Sequence, residues 1–121
     1  GRAVFCSGKV YYDLLAHREA VEDHTVALIR VEQLYPLPVA EMLEALESYP
    51  NLEEVVWCQE EPRNMGAYAY LHPYLTNMFS DGPKIRWVCR GESASPATGS
   101  NRAHKIEQQD LLDRVFQQGE N

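Results

Sequence analysis

The sequence predicts a three-layer α/β/α fold built on a mostly parallel sheet, and three observations carry that prediction. The chain opens with an apolar run, Ala3-Val4-Phe5-Cys6, that passes through Ser7-Gly8-Lys9 into Val10-Tyr11-Tyr12-Asp13-Leu14-Leu15, where the apolar residues fall at helical spacing. That is a strand, a tight turn and a helix in order, the opening unit of an α/β layer. Strand-like and helix-like segments then keep alternating to the end of the chain. Parallel strands need crossover connections, and those are right-handed, so four such alternations place helices on both faces of the sheet. The strand order expected of a doubly wound sheet of this size is 2-1-3-4, with the carboxyl ends of the strands forming a crest where ligands or partners dock.

Each element has its own signal. The first helix is expected over residues 9–21. Thr25-Val26-Ala27-Leu28-Ile29-Arg30-Val31 is a β-branched run that reads as a strand buried on both faces. Pro36 and Pro38 open the second helix, since the first turn of a helix has no internal acceptor for the missing proline N–H. Its apolar residues Val39, Met42, Leu43, Leu46 and Tyr49 form one stripe, and Pro50-Asn51 ends it. The third strand is Val55-Val56-Trp57-Cys58-Gln59. Pro62 and Asn64 separate it from a helix over residues 67–79, in which Ala67, Leu71, Leu75 and Met78 share a face and Pro73 is expected to kink or split the helix. Asp81-Gly82-Pro83 marks a turn before the fourth strand, Ile85-Arg86-Trp87-Val88-Cys89. A loop of small residues over 91–100 leads to a final helix of about fourteen residues that carries Leu111, Leu112, Val115 and Phe116.

Composition bounds the function. At 121 residues the chain, residues 1–121, is expected to be a single domain with one core. A hydrophobic fraction of 45% with 10% aromatics is globular, far from the signature of disorder. Eleven Lys and Arg against eighteen Asp and Glu give a net charge of -7, with no basic run to offset it, which argues against nucleic acid as a partner. The longest apolar runs fall well short of the ~20 residues that cross a bilayer, which argues against a membrane. Cys6, Cys58 and Cys89 are isolated, odd in number and set in apolar runs, and are expected to be buried reduced thiols. His17, His24, His72 and His104 show no pairing at metal-ligand spacing, so no zinc site is expected. The first residue is Gly1 rather than methionine, and the chain is expected to be part of a larger polypeptide.

Three groups at the crest invite a functional reading. Ser7, Gly8 and Lys9 end the first strand, where a hydroxyl, the N–H groups of a helix start and a lysine could hold an anion. The phosphate-loop pattern is otherwise absent, and a serine cap with a turn glycine is the simpler reading. Glu60 and Glu61 end the third strand. Neighbouring strand residues point to opposite faces, so the pair cannot flank one substrate bond, and one helix cap and one ion-pair partner are expected instead. Arg86, Arg90, Arg102 and Lys105 lie around the last strand and its loop. Arg90 and Arg102 bracket the small-residue segment, which is expected to pack on a neighbouring domain, and arginines so placed could grip the phosphate of a nucleotide or acyl-coenzyme. No nucleophile, metal or glycine fingerprint emerges, so no catalytic, cofactor-binding or metal residue is assigned.

Cys6-Ser7-Gly8-Lys9-Val10-Tyr11-Tyr12-Asp13-Leu14, Arg30-Val31-Glu32-Gln33-Leu34-Tyr35-Pro36, Trp57-Cys58-Gln59-Glu60-Glu61-Pro62 and Ser93-Ala94-Ser95-Pro96-Ala97-Thr98-Gly99 together resemble the carboxyl-terminal domain of the thiamine-dependent 2-oxoglutarate dehydrogenase component. The four motifs fall in that family's order and span essentially the whole chain. The resemblance implies a transketolase-like carboxyl-terminal domain, a mostly parallel sheet of four to five strands whose antiparallel member lies upstream of this chain or is missing. It implies a parent enzyme of the tricarboxylic acid cycle that decarboxylates 2-oxoglutarate on thiamine diphosphate with magnesium and passes the succinyl group to a lipoyl acyltransferase. The parent would be a homodimer, in the bacterial cytoplasm or the mitochondrial matrix, with the cofactor held by the preceding domains. None of its catalytic residues carries over onto these positions. Ser7, Gly8, Lys9, Glu60, Glu61, Arg90 and Arg102 would then be inter-domain or effector contacts.

The leading expectation is therefore a structural and assembly domain, inactive alone. Its rivals are the same domain of a 2-oxoadipate dehydrogenase, a sensor of acetyl-coenzyme A or a nucleotide, and a free-standing flavodoxin-like module, for which no phosphate loop fits. A domain parted from its neighbours is also expected to expose an apolar patch.

Overall fold

A computed structural model of the chain describes residues 1–91 and 101–117. The small-residue loop after the fourth strand, including its Ser93 to Gly99 motif, lies outside the described residues. In chain order the elements are β1 (Arg2–Cys6), α1 (Val10–Val21), β2 (Val26–Arg30), α2 (Val39–Glu47), β3 (Glu54–Pro62), α3 (Tyr68–Met78), β4 (Lys84–Arg90) and α4 (Asn101–Phe116). The four strands form one parallel sheet in the order β2-β1-β3-β4, as the alternation predicts.

Side-chain alternation along the two central strands makes the layers. Val4 and Cys6 of β1, Val56 and Cys58 of β3 and Val88 of β4 face α1 and α4, where Val10, Leu14, Leu111, Leu112 and Val115 close over them. Phe5, Val55 and Trp57 face the other way, onto Met42 of α2 and Leu71, Leu75 and Phe79 of α3. Each fully buried Val, Leu or Phe is worth roughly 1.5–3 kcal/mol, so strands that bury both faces hold the layers together.

Several local expectations change. The second strand takes the edge position that the order 2-1-3-4 gives it, but it is not buried throughout: Val26 and Ala27 are buried, Leu28 and Ile29 only partly, and Arg30 is exposed. An apolar run alone does not tell a strand covered along its whole length from one covered at one end. The second helix begins at Val39 with Pro38 as its N-cap, and Tyr49 lies beyond its end and exposed. Pro73 does not split α3, which runs continuously from Tyr68 to Met78. The carbonyl that Pro73 leaves unpaired belongs to Ala69, and both residues are exposed, so water can take that bond. The last helix has 16 residues.

Below the apolar rows, at the amino ends of the strands, lies a charged row that sequence spacing cannot reveal. Arg2 Nε stands 2.8 Å from Glu54 Oε1, and Arg86 meets the same carboxylate through Nε at 3.2 Å and Nη2 at 3.1 Å. The two guanidiniums also donate to the last turn of α4: Arg2 to the Val115 carbonyl at 2.8 Å, and Arg86 to the Arg114 carbonyl at 2.7 Å and the Val115 carbonyl at 3.2 Å. Cations at a helix carboxyl terminus complement its dipole and satisfy its free carbonyls. One mostly buried glutamate thus fixes two arginines that hold α4 against the sheet. Glu54→Ala is expected to destabilise the chain by about 2–3 kcal/mol in urea unfolding, between a buried and an exposed ion pair. Asp110→Ala, which removes the exposed partner of Arg114 on α4, is expected to cost below about 1 kcal/mol.

Candidate functional site

The chain leaves β1 for α1 on one face of the sheet and β3 for α3 on the other, so the carboxyl ends of these adjacent strands border the crevice where an open α/β sheet binds its ligands. The Ser7-Gly8-Lys9 turn and the Gln59-Glu60-Glu61 segment face each other across it.

On the β1 side, Gly8 has φ +81°, a left-handed conformation that side chains rarely adopt, so the turn requires glycine. Ser7 is not the cap: Lys9 occupies that position in α1, without a side-chain capping bond. Lys9 reaches across instead, its Nζ 3.4 Å from Glu60 Oε2. The pair is the ion-pair half of the expectation for the two glutamates. The capping half fails, because the N-cap of α3 is Ala67 and no side chain caps the helix.

The segment is shaped by Gln59, which sequence reasoning passed over. Gln59 is only 3% exposed, three residues before the end of β3. Its Oε1 accepts the Trp57 indole N–H at 3.1 Å, and its Nε2 donates to the carbonyls of Glu61, Pro62 and Met65 at 3.1, 2.9 and 2.9 Å. The loop folds back over the amide so tightly that a Cβ on Gly66, at φ +66°, would lie 3.0 Å from Glu61 Cβ and 3.2 Å from Gln59 Nε2. β3 bulges here: the stretch from Cys58 to Pro62 runs beside only Val88 to Arg90 of β4. A bulge re-aims the side chains at a strand end. The available signal was a polar residue inside an apolar run, followed by Pro62 and Gly66.

At the outer strands the cations are also spoken for. Arg90 donates through Nη1 to Glu107 at 3.2 Å, contacts His104 Nδ1 at 3.3 Å and bonds Gln108 Oε1 through Nη2; Gln108 in turn donates to Asp13 on α1 at 2.9 Å. Arg30 donates to the Tyr12 hydroxyl at 3.1 Å and lies over the Tyr11 and Tyr12 rings. Arg102 is exposed in the first turn of α4, two residues before the His104 that Arg90 contacts. The crest therefore brings Ser7, Gly8, Lys9, Glu60 and Glu61 to one crevice and ties Arg90 to α4 and α1.

The cysteines are buried free thiols. Burial pushes Cys6 up to about 12 against a small opposing pull from Arg30, and raises Cys58 and Cys89 for the same reason. They are neutral at pH 7 and lack the thiolate that nucleophilic or redox chemistry needs. Among the described residues no group of three or more His, Cys, Asp and Glu could hold a metal ion, and no helix is long and apolar enough to cross a membrane. The arrangement positions backbone and compensates charge.

Gln59→Leu keeps the volume but strands the Trp57 N–H and the loop carbonyls. Unmade bonds to buried groups cost ~1–3 kcal/mol each where water cannot replace them. The variant is expected to lose about 2–4 kcal/mol in urea unfolding, and an unchanged midpoint would show that the loop is held by something else.

The family model described as 2-oxoglutarate dehydrogenase C-terminal matches residues 1–116. The 2-oxoglutarate dehydrogenase E1 component of Cupriavidus necator is 44% identical over 115 residues, which covers 95% of this chain and 12% of that protein. The mitochondrial 2-oxoglutarate dehydrogenase of Saccharomyces cerevisiae is 46% identical over 123 residues, covering 97% of this chain and again 12% of the relative. This chain thus spans about an eighth of the length of these relatives. Among solved structures, a split gene transketolase in an inactive beta4 tetramer superposes with a TM-score of 0.64 at 15% identity, over 94% of this chain and 37% of that one, which shows a shared fold. The chain belongs to the 2-oxoglutarate dehydrogenase C-terminal family.

Proposed function

We propose that residues 1–121 form the carboxyl-terminal domain of a thiamine diphosphate-dependent 2-oxoglutarate dehydrogenase, and that the domain serves assembly rather than chemistry. The observation that carries this reading is the family match over residues 1–116 of a chain whose relatives are about eight times longer. In the parent enzyme, 2-oxoglutarate is decarboxylated and the succinyl group passes to the lipoyl arm of an acyltransferase partner, within the tricarboxylic acid cycle. The parent works as a homodimer, in the bacterial cytoplasm or, in a eukaryote, in the mitochondrial matrix.

Thiamine diphosphate and magnesium supply the parent's carbanion chemistry, but the residues described here do not fit them. The described residues hold no metal-ligand cluster, and the crest cations Lys9, Arg30 and Arg90 already have partners within the chain. The cofactor is assigned to the preceding domains. Ser7, Gly8, Lys9, Glu60, Glu61, Arg90 and Arg102 are proposed as contacts to those domains, with the Gln59 cradle holding the 61–66 loop in shape for them. The same compensation of charge lends no support to an acetyl-coenzyme A or nucleotide site.

The test assays the full-length parent and the 121-residue chain side by side with thiamine diphosphate, magnesium and an artificial electron acceptor, on 2-oxoglutarate and on 2-oxoadipate. Turnover of 2-oxoglutarate by the full-length protein and none by the 121-residue chain is expected. Activity of the short chain, or a full-length protein that prefers 2-oxoadipate, contradicts the proposal.

A further inference from the structure

We draw no further inference here: the strongest candidate, the cleft at the amino ends of β1 and β2 lined by Arg18, His24, Val26, Tyr49 and Leu52, carries nothing because nothing in the structure shows what covers it.

Discussion

The fold depends on one constraint: β1 and β3 are buried on both faces. With Ala3, Val4, Phe5 and Cys6 on one strand and Val55, Val56, Trp57 and Cys58 on its neighbour all closed to solvent, helices must cover both sides of the sheet. Parallel pairing and right-handed crossovers then leave little choice. The β1 connection goes to one face, the β3 connection goes to the other, and the crevice between their carboxyl ends follows. The crest is a consequence of the core.

What was legible in the sequence is what depends on short-range pattern. The strand order, the faces of α3 and α4, and the need for glycine at position 8 all follow from periodicity or from a turn signal. What was not legible depends on register. Arg2, Glu54 and Arg86 are more than thirty residues apart and meet only because β1, β3 and β4 align in parallel at their amino ends. Gln59 was hidden for a related reason: a glutamine at a strand end reads as an exposed residue until the loop behind it is known to fold back. The burial of β2 was overread, because its β-branched run has the composition of a strand covered along its whole length while only Val26 and Ala27 are buried.

The candidate site shows the same division. The motifs around Ser7 and Glu60 could be located, and their meeting across the crevice followed from strand order. Their chemistry could not be read, because it depends on compensation. Lys9 with Glu60 and Arg90 with Glu107 and Gln108 turn cations that looked open to phosphate into internal ties. A surface so compensated suits packing against protein better than capture of a small anion.

The central claim is that the β1–β3 pair is the nucleus on which every other element hangs, and native-state hydrogen exchange measures it most directly. The account predicts that the amides of Val4, Phe5, Val56 and Trp57 exchange only through global unfolding, with protection that follows the total stability in denaturant, while β2 and the ends of the helices open at lower free energy. Amides of β1 and β3 that exchange as readily as those of β2 would contradict it.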